Sequence, residues 1–430
     1  MLIQFAVENY GSIRDRQEIS FVASSIKDDD SVLVDRRLPG LAGARFLRAA
    51  AVCGANAAGK STLLRALRSL QGLVLESYGR GAQEAMPYAP FALDDEHRLQ
   101  PTVYEIDFVA ADGIRYHYEL SHSAERIAHE LLEAYPNGRA QLWFSRDDRA
   151  ISGSTYVSVP QAALQLLNDT VPLLSFLANY QNLRAHKRVS PVYLWFRDQL
   201  LYLNRGPSGQ SDFPFSGEII DGMTGTDAER SYIQRMVRQA DLGIARVGVV
   251  SRKLSTTDRE ALLRMSNLPE DKFPETVKFV VFDHVGESGN TATFQMGSES
   301  DGTNRIFDLS GFIARALGRG ATIVIDELDA SLHPNLLTTL VESFQNPGSN
   351  PHGAQLLFSS LNPVVLKRGL LRRDQVWFAN KSGGATEIYP LTDFGPRKGE
   401  AIEQGYLAGR YAAVPTLPDT FAYEETSSGD

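Results

Sequence analysis

The chain has almost no cysteine: one in 430 residues. That excludes a disulfide framework and a multi-cysteine metal site. It has no apolar run long enough for a membrane span, so none is expected. Its start, MLIQFAVENYGSIRD, carries no basic cluster and meets an acid at Glu8, unlike a secretory leader. A cytosolic protein is the expectation. Positive charge is also short. Lys and Arg number 43 against 52 Asp and Glu, a net charge of −9. This argues against a globally basic nucleic-acid binder and leaves a local basic patch open. Only 9 of those 43 cations are lysine, so a well-placed lysine stands out. Internal repeats and low-complexity tracts are missing too. The remaining composition, 43% hydrophobic and 22% charged, is that of a folded globular chain of two or three domains, or of one large α/β domain with insertions.

Periodicity supplies the organisation. Ile3, Phe5 and Val7 alternate, break at Tyr10-Gly11-Ser12 and resume at Ile19 and Phe21, which reads as two strands around a turn. Residues 101–120 read as a hairpin about Asp112-Gly113, with short strands near 125–135 and 140–146. From 160 to 204 the period turns helical, ending in PVYLWFRDQLLYLN. An amphipathic helix follows over 229–244, then strands over 276–296, a helix over 303–318, a strand over 321–326, a helix over 333–346 and a strand over 354–360. The basic stretches Arg184–Arg188 and Arg368/Arg372-Arg373 read as solvated faces, and Tyr193, Trp195 and Phe196 as core or partner-facing.

Two short segments carry chemistry. LRAAAVC at 47–53 reads as a buried strand, and Cys53 as its small last residue. Gly54-Ala55-Asn56-Ala57-Ala58-Gly59-Lys60-Ser61 follows, then Thr62 and a Leu-rich helix. This is G-x-x-x-x-G-K-[ST] between a strand and a helix, the context that pattern requires. Its backbone N–H groups and helix N-terminus cradle phosphates, Lys60 reaches the β and γ oxygens, and Ser61 offers a hydroxyl to Mg²⁺. The second segment, ATIVIDELD at 321–329, is a β-branched strand with acids at its carboxyl end, where parallel sheets bind ligands. There Asp326 is the expected Mg²⁺ partner and Glu327 the group that polarises a water. His333 reads as a helix-start contact rather than a ligand, before Pro334 in the first turn. From spacing alone, Ser300 reads as the N-cap of the helix over 303–318.

GANAAGKS at 54–61 with IDELDASLHP at 325–334 resembles the ABC-type ATPase heads of SMC-like proteins, RecF and the OLD proteins, and Asn9-Tyr10-x-Ser12 resembles their opening element. ADLGI (240–244), ESDGT (299–303), RRDQVWF (372–378) and GYLAGRYAAVP (405–415) resemble the bacterial abortive-infection ATPases of the RloA/AbiL-like group. The resemblance implies an α/β P-loop NTPase of ABC-head type, a mixed sheet with helices on both faces plus an antiparallel β-lobe and a helical insertion. It divides the chain into 1–150 (phosphate loop and β-lobe), 151–245 (insertion), 246–400 (second ATPase lobe) and 401–430 (extension). It implies ATP and Mg²⁺ as cofactors. Ser300 and Gly302 would form a signature loop that caps the γ-phosphate of ATP bound by a second copy, so that heads dimerise, or assemble further, around nucleotide. Where such heads carry a histidine this chain has Leu361, which implies slow hydrolysis; the glutamine loop has only Gln83 as a candidate.

The function implied is an ATP-dependent sensor or regulator in anti-phage defence. It would work with a separate effector, a TOPRIM-type nuclease or a toxin, since no second catalytic constellation is visible. Two other readings stand beside it: a DNA-handling ATPase of the SMC/RecF kind, and a scaffold that holds ATP without hydrolysing it. Nucleic acid stays open as a partner and a membrane is not expected.

Overall fold

A computed structural model describes residues 1–79, 85–159, 164–180, 184–203, 226–240, 243–253 and 276–415, with 255, 256, 260 and 263. Its centre is a six-stranded sheet in the order β16-β15-β3-β14-β13-β9. The strands are β3 (Ala49–Cys53), β9 (Leu200–Leu203), β13 (Thr322–Ile325), β14 (Gln355–Ser360), β15 (Val376–Ser382) and β16 (Ala385–Pro390). All neighbours run parallel except the edge pair β15–β16. Parallel strands covered on both faces read as unbroken apolar runs. In β3, accordingly, Ala50 and Val52 pack into one core while Ala49, Ala51 and Cys53 pack into another.

The first core lies between this sheet and an antiparallel one, β2-β1-β4-β5-β6-β7-β8. That sheet runs from β1 (Leu2–Glu8) and β2 (Gln17–Ser20) through β4 (Thr102–Val109), β5 (Arg115–His122), β6 (Ile127–Ala134), β7 (Gln141–Asp147) and β8 (Ala150–Gly153). Helix α1 (Lys60–Glu76) fills the space with Leu63, Leu64, Leu67, Leu70, Leu73 and Val74, the spacing read from the sequence. Gln355 ties the layers. Its amide accepts from Leu2 N–H at 2.6 Å and donates to the Leu2 carbonyl at 2.9 Å.

Beyond β8 come α2 (Leu173–Asn179), α3 (Arg184–Leu194) and α4 (Asp227–Ala240). Further on are a three-stranded sheet, β10 (Ile244–Lys253), β11 (Thr276–Val285) and β12 (Thr291–Gln295), and the helices α5 (Asp301–Arg319), α6 (Pro334–Gln345) and α7 (Ile402–Leu407). Helices α5 and α6 cover the second core.

Two expectations are corrected. The helix read through residue 204 ends at Leu194. One π-turn, Trp195–Gln199, follows, and Leu200–Leu203 becomes an edge strand parallel to β13. A four-residue apolar run has no period of its own, so only its neighbours decide its state. Gln71 seals the junction by donating to the carbonyls of Phe196 and Leu200 at 2.6 and 2.7 Å. The segment 151–245 therefore contributes a strand to the central sheet instead of standing wholly outside it. Trp195 is core, stacked on Phe108 at 4.1 Å. Arg372 is likewise no solvated residue: it is 3% exposed and paired with Asp374 and Asp30. No helix of the described residues is long and apolar enough to cross a membrane.

Candidate functional site

The phosphate loop joins β3 to α1 at the carboxyl end of the parallel sheet. Two glycines admit close neighbours. A Cβ on Gly54 would stand 2.4 Å from the Ala379 carbonyl, and one on Gly59 2.0 Å from Thr386 Oγ1. Gly59 also takes φ +102°, a left-handed conformation that costs other residues energy. Lys60 is buried, and its ammonium donates to the carbonyls of Gly54 and Ala55 at 2.8 and 2.7 Å. Burial lowers its pKa, opposed by Cys53 and by the carboxylates of Asp326, Asp329 and Glu327. The cation is thus held ready by weak neutral acceptors that an anion can replace. Cys53 is the buried strand residue expected, and burial pushes its thiol up to about 12.

The acidic segment leaves β13 one strand away. The parallel register sets Ile325 beside Phe358, which brings Asp326 next to Ser359 of β14. Ser359 Oγ donates to Asp326 Oδ1 at 2.5 Å and accepts the Glu327 N–H at 2.8 Å. One buried hydroxyl therefore positions both acids. Glu327 has φ +50° and Ser331 φ +61°, uncommon for residues with side chains and a form of local strain found where function over-determines the backbone. Asp329 accepts the Leu361 N–H, 3.2 Å from Oδ2, which fixes the chain at Leu361.

These pieces meet in one cavity of about 490 Å³. It is lined by Asn56, Ala57, Gly59, Lys60, Ser61, Thr62, Glu327 and Leu361, with Tyr10, Gly11, Ser12, Arg65, Ala89 and Lys381. Gly54, Ala58 and Asp326 stand behind this lining. Leu361 presents an exposed apolar side chain there. Ser300 and Gly302 are elsewhere. They line a cavity of about 910 Å³ between α4, α5 and α6 that shares no lining residue with the first. Ser300 is the expected N-cap, its Oγ accepting Thr303 N–H at 3.1 Å, and His333 caps α6 through Nδ1 and the Asn335 N–H at 3.2 Å. The loop 326–333 spans the two cavities, with Glu327 in one and Ser331 and His333 in the other. Gln83 lies outside the described residues.

Sequence reasoning missed two braces and one lysine of the cavity. Thr386 on the β15–β16 hairpin donates to the Ala58 carbonyl at 3.0 Å, and Ser12 Oγ lies 2.8 Å from Thr386 Oγ1 and 3.1 Å from Thr62 Oγ1. Lys381 is the other lysine of the cavity. Neither hairpin residue sits in a recognisable motif, and only strand pairing brings them here. For the second brace, Ser359, the expected result of Ser359→Ala is a fold weakened by about 1–3 kcal/mol, because the Glu327 N–H loses its partner. Thermal melts read that loss.

Residues 49–367 match the model of the family described as "AAA domain, putative AbiEii toxin, Type IV TA system". Among solved structures, an SMC head bound to the C-winged helix domain of ScpA is 11% identical at a TM-score of 0.46, covering 90% of this chain and 97% of that one. The SMC head domain from Thermotoga maritima is 13% identical at a TM-score of 0.39, covering 90% and 98%. RecF with ATP is 10% identical at a TM-score of 0.38, covering 90% and 97%. A search of curated proteins returns no match.

Proposed function

The chain belongs to this AAA-domain family, and on that premise we propose that it binds ATP with Mg²⁺, hydrolyses it slowly, and dimerises around the nucleotide as a switch for a separate effector in anti-phage defence. The observation that carries the reading is the separation of the two cavities, one with the phosphate loop and acids, the other with Ser300 and Gly302. Neither cavity is lined by both sets of residues. Two copies facing each other would place the phosphate loop of one against the Ser300 helix of the other.

The residues present fit the nucleotide. Gly59 takes the left-handed turn that leads the loop into α1, and the Lys60 ammonium is buried with the carbonyls of Gly54 and Ala55 as its hydrogen-bond partners among the described residues. On binding, Lys60 moves its hydrogen bonds to the phosphate oxygens, and the first N–H groups of α1 face them with the positive end of the helix dipole. Ser61 and Asp326 would hold Mg²⁺, whose charge offsets that of the phosphates. Thr62, braced by Ser12, keeps the first helical turn in place. Glu327 accepts a proton from the attacking water. From the partner copy, the Ser300 hydroxyl and the Gly302 N–H would close on the γ-phosphate.

Leu361 has no polar atom beyond its backbone to orient that water or the γ-phosphate, which supports slow turnover. Replacing Leu361 with histidine should raise steady-state ATP hydrolysis by about 10²-fold, the lower end of the range for one positioned acid–base side chain. An unchanged or lower phosphate-release rate would count against the role assigned to this position. The effector is the partner that a nuclease or toxin assay of co-purified complexes would identify.

A further inference from the structure

At the other end of the parallel sheet from the phosphate loop lies a further polar cleft, of about 410 Å³. The register fixes its place. Val376, first in β15, pairs with Ala51, and Trp377 pairs with Pro390, last in β16. Segments 367–375 and 391–400 therefore both leave the sheet at its amino-terminal edge. Six cations line the cleft, and they form two groups. Arg372 and Arg373 make the inner wall and are already matched. Arg372 donates to Asp374 through Nε and Nη2, both at 3.0 Å, and through Nη1 to Asp30 at 2.7 Å. Arg373 donates through Nε and Nη2 to Asp28 at 3.0 and 3.1 Å. These are forked guanidinium–carboxylate pairs.

Lys367, Arg368, Arg397 and Lys398 form the outer group. All four are exposed. None makes a side-chain hydrogen bond or ion pair with a described residue. Arg368 Nη2 would lie 3.4 Å from a Cβ on Gly399, which draws the two loops together. The rim acids are occupied: Asp29 accepts from Ser31 N–H, and Glu400 from Arg397 N–H and Arg410. In a chain of net charge −9, four like charges around one cleft repel each other, and an anion from outside relieves that repulsion.

The inner wall indicates which anion. The run Asp28-Asp29-Asp30 already lies along Arg372 and Arg373, carboxylate against guanidinium. Half-buried Val32 and Leu371 add apolar contact surface. The carboxylates of Asp29 and Glu400, set among the cations, oppose a phosphodiester backbone charged at every step more than a peptide whose acidic runs are interrupted by neutral residues. We propose that this cleft docks an acidic peptide segment of a partner protein. The inference deepens the partner reading above and rests on it for the existence of that partner, while the nucleotide cavity plays no part in it.

The test uses the full chain and a fluorescein-labelled peptide of three Asp-Asp-Asp-Ser-Val repeats, the sequence of residues 28–32. Fluorescence anisotropy should show binding that weakens with salt. The double change Arg368→Glu/Lys398→Glu should weaken it at least about tenfold, and Lys253→Glu, an exposed charge on β10, should not. Lys60→Ala should leave peptide binding intact while losing ATP, so failure here is separable from failure of the nucleotide reading. The proposal is overturned if wild type does not bind the peptide, if charge reversal in the cleft changes nothing, or if a 15-nucleotide single-stranded DNA binds the same residues more tightly than the peptide does.

Discussion

Lys60→Ala should cost the chain its nucleotide. The ammonium is buried and, among the described residues, its hydrogen-bond partners are the carbonyls of Gly54 and Ala55. A phosphate arriving there replaces two neutral acceptors with charged ones, in a site where burial strengthens the attraction. Removing one member of such a desolvated charge pair costs about 2–5 kcal/mol, or about 30-fold to 5,000-fold in affinity. Titration calorimetry with a non-hydrolysable ATP analogue reads this directly. The fold should survive, because alanine suits the first turn of α1 and removes a charge whose burial is unfavourable. A wild-type affinity in the variant would mean that the cavity does not take triphosphate by this loop.

Glu327→Gln should separate binding from turnover. The glutamine keeps the shape of the side chain and takes no proton, so hydrolysis should fall by about 10²–10⁴-fold, the range for losing a general base. ATP affinity should hold or improve, since one negative charge beside the phosphates is gone. The backbone at Glu327, with φ +50° and its N–H on Ser359, is built independently of the carboxylate, so the variant should fold as wild type does. Single-turnover phosphate release alongside equilibrium ATP binding gives both quantities. In a scaffold that merely holds ATP the substitution would change neither, and that outcome would move the chain out of the hydrolytic class.

The phosphate loop was legible because its chemistry is contiguous. Eight consecutive residues, a strand before them and a helix after them define it without any partner far along the chain. The acids at 326–327 were legible for the same reason, and the N-caps at Ser300 and His333 follow from local spacing. What could not be read depends on strands meeting. Ser359 reaches Asp326 only through the β13–β14 register, and Thr386 reaches Ala58 only because the β15–β16 hairpin lies against the loop. The strand at Leu200–Leu203 looked helical because four apolar residues take the state their neighbours impose. The division of Glu327 and Ser300 between two cavities agrees with the resemblance, which sets Ser300 against a second copy; spacing alone does not give it, since a motif names residues and not the faces they end on.

That division makes solution mass the most direct test of the central claim. Light scattering on the Glu327→Gln chain, with and without ATP and Mg²⁺, should give the 47.4 kDa of one chain without nucleotide and twice that with it. Adding Ser300→Arg to the same chain should return it to the single-chain mass while ATP still binds. A mass that ignores ATP, or a dimer that survives Ser300→Arg unchanged, would contradict a switch assembled around shared nucleotide.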